Sequence, residues 1–113
     1  MPTERRVTTA LAAGALSANL LADSKWLYLP GPHAVQVYAV ADAAGVLLEL
    51  SFGNTIDTQD FELPVRAATV GPFRSDDLAA AGVGVGGDLV SVRLRNSGAA
   101  ATNIRTLIDL RPL

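Results

Sequence analysis

The sequence predicts an all-β protein, an antiparallel β-sandwich of the jelly-roll type with about seven or eight strands. Val90, Val92 and Leu94 alternate with polar residues, and a second alternating run spans 104–110. A period of two places each apolar set on one face of a strand. Glycine, proline and asparagine interrupt the chain at intervals of about 8–12 residues, which is typical of sandwiches.

Length and composition predict one domain with limited surface charge. The chain has 113 residues, no cysteine and 18% charged residues, against a usual value of about 25%. A chain of this length buries roughly two thirds of its unfolded surface, which is enough for one core. The low charge favours a protein that loses surface to neighbouring subunits.

The first part of the chain predicts an extended N-terminal arm over residues 1–14, followed by the β-sandwich domain over 15–113. Residues 7–18 follow Arg5 and Arg6 as in a signal peptide, but they are too weakly hydrophobic to fit that pattern well. No run approaches the roughly 20 apolar residues of a membrane span, so no membrane partner is expected. The alternation of Leu16, Ala18, Leu20 and Ala22 predicts the first strand.

Further strands follow between turn residues. Pro30-Gly31-Pro32 ends a short strand, Ala43-Ala44-Gly45 turns the chain, and Gly53-Asn54-Thr55 is a strong turn signal. The strands predicted up to this point are 15–22, 26–29, 35–42, 46–52 and 56–63.

The region 64–86 has the weakest pattern. Residues 75–82 predict a single helical turn, with Ser75 as its cap and Gly82 as its end. Gly82, Gly84, Gly86 and Gly87 predict a flexible connector to the last two strands. Those strands, 90–96 and 104–110, are expected to form a hairpin through Ser97-Gly98.

The sequence offers no catalytic, cofactor or metal site. His33 is the only histidine and has no oriented partner, so we expect a structural side chain. The glycine run lacks the lysine of a phosphate loop, and Asp57, Asp60 and Glu62 are expected to be solvated acids rather than calcium ligands. A net charge of −2 and a single lysine argue against a nucleic-acid partner.

Two surface features leave alternatives open. Trp26, Tyr28 and Tyr38 are expected either in the core or an interface, or on a platform that stacks on sugar rings. Arg93 and Arg95 predict a modest basic stripe, continued by Arg105 and Arg111 across the hairpin with Asp109 among them. The stripe is expected to be an ordinary solvated sheet face, or one paired with acidic residues of a neighbouring subunit.

Four segments stand out together: Leu29-Pro30-Gly31-Pro32 with the following strand pair, the segment from Pro64 to Asp77, the run 87–98, and the terminal strand ending in Asp109-Leu110-Arg111-Pro112-Leu113. Together they resemble small β-sandwich proteins of bacteriophage virions, of the minor capsid or head-decoration type. The resemblance spans about residues 15–113 and carries no catalytic residues.

The resemblance implies a non-enzymatic capsid subunit located on the virion, at the capsid surface or a vertex. Its implied partners are further copies of itself, most often as a trimer, and other virion proteins such as the major capsid protein. We expect the arm to bind those neighbours while the sandwich folds without it. The expected arm contacts are Val7, Leu11, Leu16 and Leu20.

Overall fold

The protein consists of two antiparallel β-sheets packed face to face, as the alternating pattern predicts. The computed structural model describes residues 3–67 and 69–113, so the first two residues of the predicted arm lie outside it. One sheet has four strands in the order β1-β7-β2-β5, and the other has three in the order β4-β3-β6. The strands are β1 (Thr3–Leu11), β2 (His33–Ala41), β3 (Val46–Phe52), β4 (Thr55–Glu62), β5 (Leu78–Gly84), β6 (Val90–Asn96) and β7 (Thr102–Pro112).

The hydrophobic core lies between the two sheets and is built by alternate residues of the central strands. Each of these strands turns one apolar set inward because successive side chains point to opposite faces. The side chains with no solvent exposure include Val35 and Val37 of β2, Leu48 and Leu50 of β3, Val92 and Leu94 of β6, and Ile104, Ile108 and Leu110 of β7. The inward positions predicted for these strands are confirmed.

The predicted hairpin of the last two strands is wrong. β6 pairs with β3, whereas β7 pairs with β1 and β2 in the other sheet. Residues 97–101 therefore carry the chain from one sheet to the other. β2 and β3 are likewise in different sheets, and the hairpin of consecutive strands is β3–β4, through Gly53-Asn54. Alternation assigns a face to a strand, but it does not identify the neighbouring strand.

The start of the chain also differs from prediction. Most of the predicted arm is strand β1, which pairs with β7 of the same chain in a register that places Thr3 opposite Asp109. The predicted strands at 15–22 and 26–29 are not regular strands. Only the isolated bridges Leu16–Arg95 and Tyr28–Leu89 form there.

Residues 14–29, which we call the edge segment, lie along the outer edge of β6. The backbone N–H of Ser17 donates to Leu94 O at 2.7 Å, and that of Leu20 donates to Val92 O at 2.9 Å. Side chains complete the pairing. The N–H of Val92 donates to Asn19 Oδ1 at 3.0 Å, and Asn19 Nδ2 donates to Val90 O at 2.8 Å. An irregular segment thus covers a strand edge that would otherwise be open.

The glycine-rich region contains a strand where a helical turn and a flexible connector were predicted. The single turn lies earlier, where Asp77 N donates to Phe73 O at 2.9 Å. β5 then includes Gly82 and Gly84, which face the interior. A Cβ on Gly84 would lie 2.7 Å from the Phe52 ring and 2.5 Å from Leu29 Cδ1. The glycines therefore allow close approach of the two sheets rather than flexibility.

Candidate functional site

No ligand-sized cavity opens on residues 3–67 and 69–113. The same residues hold no group of three or more histidine and acidic side chains that could bind a metal ion. No helix in this part of the chain is long and apolar enough to cross a membrane.

Part of the outer face of the four-stranded sheet is covered by residues 64–67 and 69–77, which we call the connector. Arg74 of the connector binds Asp109 of β7 through two hydrogen bonds, Nε to Oδ2 at 2.8 Å and Nη2 to Oδ1 at 3.0 Å. Thr3 donates to the same carboxylate at 2.8 Å. Asp109 is only 2% exposed, so its charge depends on these donors.

These contacts lower the pKa of Asp109 below its ordinary value. The hydrogen bond from Arg74 is the largest cause, and burial acts in the opposite direction. The bond from Thr3 lowers this pKa further. The same ion pair raises the pKa of Arg74, so both groups are charged at neutral pH.

Two further ion pairs hold the connector in place. Asp77, which is buried, accepts hydrogen bonds from Arg66 Nη2 at 3.0 Å and from the Phe73 N–H at 2.7 Å. Arg105 of β7 donates to Asp42 at 2.6 Å and to the carbonyl oxygens of Ala67 and Val70. Asp77 lies within the predicted helical turn 75–82, and its carboxylate holds the connector against the sheet.

The connector buries the middle of a sheet face that was expected to be solvated. Tyr38, Val40 and Leu107 point outward from their strands, yet all three are buried. The predicted basic stripe does not form either, because β6 and β7 lie in different sheets. Arg93 and Arg95 lie on the outer face of the three-stranded sheet, while Arg105 and Asp109 belong to the connector contacts.

The four predicted arm contacts do not share one surface. Val7 is 71% exposed on β1, and Leu16 is exposed beside β6. Leu11 and Leu20 pack against the core of their own chain. Half of the predicted set therefore contributes to the fold itself.

The three aromatic residues are likewise separated. Tyr38 is buried under the connector and has no free ring face for a sugar. Trp26 is partly buried against the core, with its ring 5.4 Å from that of His33. Tyr28 is 60% exposed, so it is the one member of the set that presents most of its ring to solvent.

The predicted structural role of His33 agrees with its position. The side chain is buried at the start of β2, and its Nδ1 lies 2.9 Å from the carbonyl oxygen of Gly31. Asp57, Asp60 and Glu62 are exposed along β4, which agrees with the prediction of solvated acids.

The sequence did not reveal a set of exposed apolar side chains. They lie mainly on β4, on β5 and in the loops next to these strands, and several belong to regions where turns or a flexible segment were predicted. They include Ile56, Phe61, Val65, Phe73, Leu78, Val83, Val85 and Leu89.

Comparison with known proteins returned no relative. No protein-family model matches the chain, and no curated protein is significantly similar to it.

Proposed function

We propose that the protein is a non-enzymatic structural subunit of a bacteriophage virion, a capsid decoration or minor capsid protein that acts through subunit contacts. The proposal includes a jelly-roll fold in which the edge segment, residues 14–29, replaces a regular strand. Jelly rolls have eight strands in two sheets and recur in viral capsid domains.

The order of pairing along the chain is the observation that carries this proposal. If the edge segment counts as the second of eight elements, the first pairs with the eighth and the second with the seventh. The third pairs with the sixth, β2 with β5, and the fourth with the fifth, β3 with β4. This nesting supports the proposed jelly roll, in which a long hairpin is folded over itself.

The surface supports a role in assembly. The described residues offer no cavity, whereas several large apolar side chains are exposed on strand edges and loops. Exposed apolar groups of this kind commonly mark interfaces. In this proposal the partners are other copies of the chain and other virion proteins, and the protein is located on the particle.

The location can be tested by labelling. Antibodies against the purified protein would be applied to phage particles banded from a culture that produces the chain, and gold-conjugated second antibody would be viewed by electron microscopy. Regular labelling of particle surfaces supports the proposal. Unlabelled particles, with the protein recovered only in the particle-free fraction, contradict it.

A second candidate function is attachment to glycans, because jelly rolls also occur in lectin domains and because Tyr28 is exposed. Trp26 precedes it by two residues and is only partly buried. A glycan array would compare the native protein with Tyr28→Ala and Trp26→Ala. Binding that is lost in Tyr28→Ala favours this function, and no binding by the native protein removes it.

A further inference from the structure

β1 is divided into two parts by an irregularity. Residues 3–8 pair with β7 in one continuous register, which breaks before pairing resumes at Leu11. Thr9 and Ala10 lie in this break, and we call them the hinge. Ala10 has a φ of 50°, which is in the left-handed region of backbone conformation. The side chain of an L-residue crowds its own backbone there, so the hinge of the single chain is strained.

The two sides of the hinge are attached to the fold in different ways. Leu11 packs against the core of its own chain, and its carbonyl oxygen accepts a hydrogen bond from Asn96 Nδ2 at 2.8 Å. None of residues 3–8 is buried, however, and Val7, the one apolar residue among them, is 71% exposed. The attachment of residues 3–8 therefore depends little on burial of their own apolar side chains.

Residues 3–8 are held by main-chain pairing with β7 and by polar side chains. On the edge segment, Arg6 Nε donates to Leu20 O at 3.0 Å, and the hydroxyl of Ser24 donates to Glu4 Oε1 at 2.7 Å. The same bonds form whether residues 3–8 belong to the same chain or to a second copy. Exchange of this identical segment between copies therefore costs little in contacts.

We propose that two copies of the chain exchange residues 3–8. Each copy places this segment on β7 and the edge segment of the other, while Leu11 stays in its own core and the hinge becomes extended. A strained hinge favours such an exchange, because Ala10 leaves the left-handed region only in the exchanged pair. This inference goes beyond the proposed function, since it concerns the free protein whether or not the protein belongs to a virion.

The partner is another copy because the site is matched to this particular segment. The carbonyl oxygen of Leu20 accepts from Arg6, and the hydroxyl of Ser24, four positions further on, donates to Glu4. A foreign strand would have to carry the same donor and acceptor at the same spacing, whereas a second copy carries both. An exchanged pair has twice the chain mass, so its mass distinguishes it from the trimer implied by the resemblance.

The first test measures mass in solution by size-exclusion chromatography with light scattering. We expect monomer and dimer of the native protein, with a dimer share that rises with concentration. Ala10→Gly removes the strain of the closed hinge and should lower the association constant at least about tenfold. Ala10→Pro fixes φ near −65°, which the closed hinge does not allow, and should raise the constant at least about tenfold. Ala99→Gly, in an exposed loop without a left-handed φ, is the matched control.

The second test uses disulfides, since the chain has no cysteine of its own. Val7 lies directly opposite Arg105 in the pairing of β1 with β7. When Val7→Cys and Arg105→Cys chains are mixed at high concentration, diluted and oxidised, exchange should yield a disulfide between the two different chains. Ile56→Cys, at an exposed position of β4, replaces Val7→Cys in the control mixture and should give no such product. Circular dichroism confirms that every variant in both tests is folded.

The outcomes decide between exchange and a closed single chain. A native protein that stays monomeric at millimolar concentration overturns the proposal. A native dimer whose association constant is unchanged by Ala10→Gly and Ala10→Pro does so as well, and so does a mixture without the disulfide between different chains. Particle labelling is independent of these results and tests the virion role separately.

Discussion

Arg74 and Asp109 lie 35 positions apart in the chain and form a two-bonded ion pair that fastens the connector to the central strand β7. Thr3 of β1 donates to the same carboxylate. One buried charge therefore joins three parts of the molecule that are distant in sequence. Removing this charge should weaken the attachment of both the connector and β1 to β7.

The first prediction concerns acid stability. The folded-state pKa of Asp109 lies below its ordinary value, so its stabilising contribution is complete above the unfolded pKa of about 3.9 and is lost as the pH falls further. Asp109→Asn should be less stable than the native protein at neutral pH. Thermal unfolding at a series of pH values should show this difference shrinking below about pH 4. A difference that stays constant across the series contradicts the prediction.

The second prediction concerns Asn96, the fully buried last residue of β6. Its Nδ2 donates to Leu11 O and to Ala100 O, each at 2.8 Å, and its Oδ1 accepts from Gly98 N at 2.9 Å. Asn96→Ala leaves these three backbone groups without their partner. It should lower the free energy of unfolding by about 3 kcal/mol, since each hydrogen bond contributes about 1 kcal/mol. Urea unfolding provides the measurement.

Ser97→Ala is the control for Asn96. The Ser97 hydroxyl makes one exposed hydrogen bond, to Gly45 O. Loss of this bond should lower the free energy of unfolding by well under half as much as Asn96→Ala does. Equal losses of unfolding free energy in the two variants would contradict the role assigned to Asn96.

The third prediction tests the close approach of the sheets at β5. Gly84→Ala forces the Phe52 ring or Leu29 to move, since the added Cβ would lie within 2.7 Å of both. Overpacking of this kind costs about 1–3 kcal/mol. Gly31→Ala is the matched control, because nothing lies within 4 Å of its Cβ and its backbone is not left-handed. Calorimetry should show a lower Tm for Gly84→Ala alone.

The fourth prediction concerns β1, which was expected to be dispensable for folding. Deleting residues 1–11 removes the pairing with β7, the bond from Thr3 to Asp109 and the packing of Leu11. We expect the free energy of unfolding to fall by about 2 kcal/mol or more, which lowers the Tm by roughly 10 °C. Val7→Ser, at a highly exposed position of the same strand, should have almost no effect. An unchanged Tm after the deletion would show that β1 is a detachable arm.

The strands of the core were predictable because each has a buried face with a clear period of two. Val35 and Val37, or Val92 and Leu94, are spaced so that only an extended strand buries both. The pairing of these strands was not predictable, since the short loop at 97–101 can close a hairpin or cross between sheets with equal ease.

The missed elements share a different physical cause, which is that their pairing does not depend on apolar alternation. β1 contains Glu4, Arg5 and Arg6 and has little apolar pattern. β5 is rich in alanine and glycine, which have low strand propensity. It packs in the sandwich because its glycines leave room for the Phe52 ring. The contacts of the connector depend on carboxylates whose arginine partners are 11 to 63 positions away, a separation that carries no local signal.

The amide of Asn19 has a consequence for the growth of larger assemblies. It supplies β6 with an acceptor and a donor in the manner of a peptide group, yet it belongs to no regular strand onto which another chain could add. Fibril elongation requires a sheet that can be extended on both flanks, and this sheet is closed on one of them. Association of these molecules through the three-stranded sheet should therefore terminate as discrete particles rather than continue as filaments.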